Sequence, residues 1–320
     1  MMLEALGAIG PLFAVLAIGG IASLMPKIRA AESSLTAFVL YFALPAFLFD
    51  AVATAPVSEG VPWSFALIAF GVTALVSTLT WTAGRFAGRR TRPLAAPLAL
   101  AASYGNVGYL GVPIALSILG PEAGLAAAVG QLIHNLMFML GYPAVRAHSS
   151  GGSKDSPVSR QMWIAVKKAL LTNPITVSVA AGIVVALVDV PLPSPVSDTL
   201  GLFGQTAVPL AMFAVGLTLP AAVKGLRDGS VPGFPLILGT IIKMVLLPIL
   251  TVVIVALLAP SLGSLWSGTL VLMAAMPTSA TAYVLSQQED ADPRIVSSMI
   301  AVSSIVGVAT IPLALSWFVL

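Results

Sequence analysis

The sequence predicts an all-α polytopic membrane protein: ten transmembrane helices forming two inverted five-helix repeats. Three observations carry that expectation. The first is composition: 58% of the 320 residues are apolar and 8% charged, against about 45–50% and about 25% in soluble domains, and the mean hydropathy is +1.02. The second is the recurrence of apolar stretches of about 20 residues, the length that crosses a hydrocarbon layer about 30 Å thick. The third is the alternation of basic and base-free connections between them. A soluble enzyme with one compact core is excluded. The sequence pI of 9.3 does not point to nucleic acid either, because all the bases but Lys243 lie at the connections between apolar stretches.

Apolar stretches bounded by charge, Pro or Gly run over about 5–24, 33–54, 63–87, 94–119, 121–146, 169–189, 197–220, 233–258, 265–287 and 295–318. The first reads as a true span rather than a signal peptide, since Glu4 and no base precedes it and Pro11 is expected to interrupt it. Lys27 and Arg29 follow span one; Arg85, Arg89, Arg90 and Arg92 join three to four; Arg146, Lys154, Arg160, Lys167 and Lys168 join five to six; Lys224 and Arg227 follow seven, and Arg294 follows nine. The even-to-odd connections carry only Glu59, Glu122, Asp189 and Asp198. Because Lys and Arg are retained on the cytoplasmic side, both termini are expected outside the cytoplasmic (inner) membrane.

The polar stretch at about 148–160, with Ser-Ser-Gly-Gly-Ser, has the composition of a linker. It divides the chain into a first five-helix repeat, 1–147, a linker and approach to helix six, 148–168, and a second repeat, 169–320. Pro45 in ALPAFLFDAV matches Pro209 in AVPLAMFAVG; Gly10-Pro11 matches Asn173-Pro174; Ala101-Ala102-Ser103-Tyr104-Gly105-Asn106 matches Ala274-Ala275-Met276-Pro277-Thr278-Ser279. Five spans being an odd number, the second unit enters the bilayer from the opposite side. Inverted repeats of this kind build many secondary transporters, whose substrate site lies where interrupted helices meet at the midplane.

Span four carries Tyr104-Gly105-Asn106-Val107-Gly108-Tyr109-Leu110-Gly111-Val112-Pro113 at bilayer depth, and span nine carries Met276-Pro277-Thr278-Ser279-Ala280-Thr281. Gly105, Pro113 and Pro277 are the expected helix breakers. Each break frees backbone amides and leaves a partial positive charge at the start of the next half-helix, which favours a carboxylate. Gly105, Asn106, Val107, Pro277, Thr278 and Ser279 are therefore candidate substrate-binding residues. The competing account is small-residue helix packing with hydroxyls bonded back to their own helix.

The stretches GNVGYLGVPIAL and AAMPTSATAYVLSQQEDADPRIVSS, with LPAFLF in span two, resemble the auxin efflux carrier family of membrane transport proteins, which includes bacterial malonate and malate carriers and the plant PIN carriers. The similarity covers essentially the whole chain. It implies inverted five-helix repeats with crossing, broken helices four and nine, as in bile acid:sodium symporters and sodium–proton antiporters. It also implies an elevator-like movement of helices 3–5 and 8–10 against a scaffold of helices 1, 2, 6 and 7, in which Pro45 and Pro209 lie, and a homodimer formed through that scaffold. Asn106 and Pro277 match the residues at the family's crossover. Gly105 stands where plant members have Pro, and GVTALVSTLTW in span three lacks their Asp and Lys pattern.

Other intramembrane polar residues are candidates for coupling or substrate contact. Lys243 lies about ten residues inside span eight, where a buried ammonium can neutralise a substrate carboxylate or, alternatively, snorkel to the interface. Asp50 follows Pro45 and is either a coupling carboxylate or part of a solvated helix end. Gln131 shares a helical face with His134 or Asn135 in span five. No cysteine is present and only two histidines, so neither a metal site nor a cofactor is expected beyond a coupling ion, H+ or Na+. The function expected is secondary transport of a small organic anion, a mono- or dicarboxylate such as malonate, malate or lactate or an auxin-like aromatic acid. The alternatives are a channel, an intramembrane enzyme and a non-transporting carboxylate sensor. No selectivity filter, His-Glu-x-x-His or Gly-x-Ser-x-Gly is present.

Overall fold

The computed structural model describes residues 2–55, 60–89, 91–149, 167, 173–188, 191–227, 231–288, 291 and 293–318. The expected linker, 148–168, lies almost wholly outside them. The helices are α1 (Met2–Ala22), α2 (Glu32–Ala53), α3 (Trp63–Phe86), α4 (Ala95–Ser103), α5 (Val107–Leu119) and α6 (Gly124–Ser149). They continue with α7 (Pro174–Val188), α8 (Ser194–Arg227), α9 (Gly233–Leu258), α10 (Ser264–Ala275), α11 (Ala280–Gln288) and α12 (Arg294–Phe318). A helical turn, Pro26–Ala30, precedes α2. Among the described residues the one β-type pairing is a bridge between Gly105 and Thr278.

Six helices, α2, α3, α6, α8, α9 and α12, contain stretches long and apolar enough to cross a membrane, and Gly10–Ala22, α5, α7 and α10 are shorter apolar stretches. Their outward faces are apolar as well as their inward ones. In α3, Phe65, Ile68, Val72 and Val76 are buried at helical spacing while Leu67, Phe70, Leu75 and Leu79 are exposed. Hydrocarbon, not water, is the solvent that such a helix requires.

Glycines set the closest helix approaches. A Cβ on Gly19 of α1 would overlap the Phe213 carbonyl oxygen of α8, and one on Gly216 would overlap the Leu16 carbonyl oxygen. A Cβ on Gly182 of α7 would lie 2.9 Å from the Phe49 carbonyl oxygen of α2. With no hydrophobic drive between helices in lipid, backbone-to-backbone approach through small residues supplies the packing. Gly216→Ala is expected to lower stability by about 1–3 kcal/mol. Thermal unfolding in detergent micelles measures this, and an unchanged midpoint would show that α1 and α8 have room to part.

Two proline expectations are corrected. Pro11 does not interrupt α1, which runs through it; neighbouring helices make the loss of one backbone donor tolerable in a span. Pro113 is not a break either: it sits inside α5, just after a wide π-type turn at Val107–Gly111. The same arrangement recurs at Val39–Ala43 before Pro45 and at Ile242–Leu246 before Pro248. In each case the residue before the proline donates its N–H five residues back: Leu44 to Val39, Val112 to Val107 and Leu247 to Ile242. The widened turn moves the upstream carbonyls away from the pyrrolidine ring, which would otherwise clash with the carbonyl four residues earlier.

Candidate functional site

Spans four and nine do break, at Tyr104–Asn106 and at Met276–Ser279. Tyr104 (φ −80°, ψ 96°) ends α4 and Met276 (φ −65°, ψ 142°) ends α10, both in extended backbone. The halves are too short to span alone: α5 has 13 residues, about 20 Å at 1.5 Å each, against a core of about 30 Å. The two extended segments meet antiparallel. Asn106 N–H donates to the Pro277 carbonyl (2.7 Å), and Ser279 N–H donates to the Tyr104 carbonyl (2.8 Å). The two bonds are reciprocal, and the same sequence offset, 173, separates Tyr104 from Pro277 and Asn106 from Ser279.

Side chains from neighbouring helices satisfy what the breaks leave open. Gly105 N–H donates to His134 Nε2 of α6 (2.9 Å), and Thr278 N–H donates to Ser303 Oγ of α12 (2.9 Å). At the end of α4 the Ala101 carbonyl accepts from Thr278 Oγ1 (2.8 Å), and at the end of α10 the Ala274 carbonyl accepts from Lys243 Nζ (3.0 Å). Ala101 and Ala274 are again 173 apart. Thr278→Val leaves the Ala101 carbonyl without its side-chain donor and is expected to cost about 1–3 kcal/mol. Unfolding in mixed micelles checks this, and Thr278→Ser, which keeps the hydroxyl, should recover most of the loss.

The two half-helix starts differ. Ser279 caps α11, since its Oγ accepts from Thr281 N–H (3.2 Å). Asn106 occupies the corresponding position before α5 but makes no side-chain cap. Its carbonyl accepts from Leu110 and Gly111, so the amides of Val107, Gly108 and Tyr109 belong to the first turn, where a helix has no partners of its own. Asn106 is buried at 6% exposure. The open electropositive end is therefore that of α5.

Three polar groups surround the segment. Lys243 of α9 is fully buried, and its Nζ would lie 3.2 Å from a Cβ on Gly105. Among the described residues no carboxylate pairs with it. Gln131 of α6 places its amide nitrogen 2.7 Å from where a Cβ on Gly108 would be, and its Oε1 is buried without a hydrogen-bond partner. A flip of that amide exchanges an unsatisfied acceptor for an NH2 donor. Asn135 accepts from the Tyr104 hydroxyl (3.0 Å), and the Tyr104 ring stacks on Phe138 (4.5 Å between centroids) and tilts over His134 (5.3 Å). A small cavity of about 30 Å³ lies beside His134, Thr73 and Thr251, room for about one water.

The expected residues thus separate into groups. Gly105, Asn106, Val107, Gln131, His134, Lys243, Pro277, Thr278 and Ser279 gather at the crossing, and Asn135 reaches it through Tyr104. Asp50 lines a different cavity, of about 330 Å³, with Thr54, Pro191 and Ser197. Pro45 and Pro209 lie in α2 and α8. Sequence reasoning missed Ser303 and Tyr104. The one trace of Ser303 in the sequence is a Ser-Ser pair inside an apolar span.

Comparison with known proteins gives the family. The model of the family described as "Membrane transport protein" matches residues 5–315. A protein of Rhizobium meliloti (strain 1021) named "Putative malonate transporter" is 32% identical over 97% of this chain and 94% of its own length. An "Uncharacterized transporter" of Methanothermobacter thermautotrophicus is 30% identical over 68% of this chain and 66% of its own. The "Uncharacterized transporter YfdV" of Escherichia coli (strain K12) is 26% identical over 86% and 85%. With a family match running almost end to end around two interrupted, interlocked helices, the chain belongs to the membrane transport protein family, that of the auxin efflux carriers.

Proposed function

We propose that the protein is a secondary carrier for a small mono- or dicarboxylate, with malonate, malate and lactate as the first candidates, bound where α5 begins. The observation that carries this reading is the uncapped start of α5, buried in the protein beside a lysine that no carboxylate pairs among the described residues. The first-turn amides and the helix dipole attract an anion. The Asn106 amide orients it, and Lys243 supplies the full charge that makes a carboxylate preferable to a neutral solute. Gln131 contributes a further donor or acceptor, which suits a second carboxylate or a hydroxyl. The relative named for malonate points to the same substrate class.

The accompanying architecture is ten spans in two inverted repeats, 1–147 and 169–320, joined by a cytoplasmic linker with both termini outside. Reciprocal packing supports it. Gly19 approaches the Phe213 carbonyl and Gly182 approaches the Phe49 carbonyl. The offset from Gly19 to Gly182 is 163, as from Pro11 to Pro174, and from Phe49 to Phe213 it is 164, as from Pro45 to Pro209. The contact of span one with span seven thus becomes, under the repeat, that of span six with span two. Alternating access follows by displacement of spans 3–5 and 8–10, which hold the crossing, against spans 1, 2, 6 and 7, with a homodimer as the assembled form and H+ or Na+ as a coupling ion.

Counterflow of labelled malonate, malate and lactate in liposomes is the test. A carrier exchanges label and returns it chemically unaltered, whereas an enzyme changes it and a sensor binds it without exchange. Asn106→Ala is expected to weaken binding by about tenfold or more, the loss of one hydrogen bond to a charged ligand. Wild-type affinity in that variant would remove the start of α5 as the site.

A further inference from the structure

We propose that the groove between α3, α4 and α6 is a lipid site, holding one acyl chain of an anionic phospholipid with its head group on Arg85. The groove encloses about 680 Å³ and is lined by, among others, Phe70 and Trp81 of α3, Leu100 of α4, and Ile133, Phe138 and Gly141 of α6. No lining residue is charged. Water in such a space would lack the two to four polar partners that a buried water needs, so hydrocarbon is the occupant it fits.

Length and charge identify the hydrocarbon. From Phe70 to Trp81 the groove follows eleven residues of α3, about 16 Å. That is half of a bilayer core about 30 Å thick, the depth of one acyl chain in one leaflet. At the Trp81 end the Arg85 guanidinium carbon stands 5.4 Å from the centre of the indole ring. Tryptophan and arginine together mark the head-group level. Arg89 and Arg92 follow on the same connection, and among the described residues no carboxylate pairs with Arg85. A phosphate there gains the basic cluster while its chain fills the groove. Assignment to the cytoplasmic leaflet follows from the sidedness proposed above; the site itself does not depend on that sidedness or on the transport reading. The chain would touch Leu100 and Phe138, the latter stacked on Tyr104 at the crossing.

Native mass spectrometry of the purified full chain, titrated with dioleoyl phosphatidylglycerol or dioleoyl phosphatidylcholine, tests the site. The wild type should retain phosphatidylglycerol in preference. A Cβ on Gly141 meets no heavy atom within 4 Å, so Gly141→Leu fills the groove without displacing a neighbour. It should retain both lipids about tenfold less, the effect of withdrawing one or two methylenes from burial. Ala74→Phe fills it from the opposite wall and guards against a folding defect in the first variant, with the thermal midpoint checked for both. Arg85→Gln should keep binding but lower the preference for phosphatidylglycerol about fivefold, one basic residue's share. Undiminished retention in both filled variants that fold would overturn the site, and so would a wild type with no preference between the two lipids.

Discussion

Lys243→Met is expected to abolish the carboxylate counterflow proposed above and to leave the purified protein at least as stable as the wild type. The ammonium is fully buried, donates to the Ala274 carbonyl, and has no acidic partner among the described residues. A lysine in mid-span costs about 2.5–3.5 kcal/mol on insertion scales, and the lost bond to Ala274 returns about 1–3 kcal/mol of that. Methionine keeps the length of the side chain and removes both terms, so the net change in stability lies between about zero and a gain of about 2.5 kcal/mol. Binding falls about 10- to 100-fold, because a charge-assisted hydrogen bond is worth about 1.5–3 kcal/mol. Calorimetry with malonate, paired with thermal unfolding, separates the two quantities. Wild-type affinity in a stable Lys243→Met protein would show that the lysine serves packing and not the anion.

His134→Leu has the opposite signature: stability falls by about 2–4 kcal/mol, combining an orphaned donor with lost ring contacts. Gly105 N–H loses its acceptor, and Tyr104 and Phe138 lose a ring at 5.3 and 5.1 Å. As an acceptor, Nε2 is unprotonated and the proton of the neutral ring sits on Nδ1. His134→Gln retains an acceptor and should recover the hydrogen-bond part of the loss while leaving the ring part. The midpoint of SDS unfolding reads the difference. If leucine is tolerated without change, Gly105 has found another partner and the crossing does not depend on α6.

The helices and the two breaks were legible because each rests on local chemistry. Twenty apolar residues have few alternatives to spanning lipid, and glycine, asparagine and proline at bilayer depth weaken a helix whatever surrounds them. Pro113 shows where such reasoning stops. By itself a proline is a breaker, yet five preceding residues with a wider turn absorb it, and nothing in their letters marks that turn. The asymmetry between Asn106 and Ser279 was hidden for another reason. Both are good capping residues, and only the course of the backbone decides that the serine turns to its own helix while the asparagine does not. Ser303 and the Ala101 and Ala274 carbonyls were beyond reach because their roles depend on helices distant in sequence meeting in space.

The wide turns before Pro45, Pro113 and Pro248 are pinned in place. An extra residue in a helix ordinarily migrates by trading one acceptor for the next, but a proline has no proton to trade, so the bulge stays where the sequence put it. Two of these anchored bulges, Val107–Gly111 and Ile242–Leu246, carry the first-turn amides of α5 and Lys243, whose Nζ lies 3.2 Å from the position of a Cβ on Gly105. The register of each segment against its neighbours is thus set by winding that cannot slip. In the carrier proposed above, the anion site is ready-made rather than assembled around each passenger.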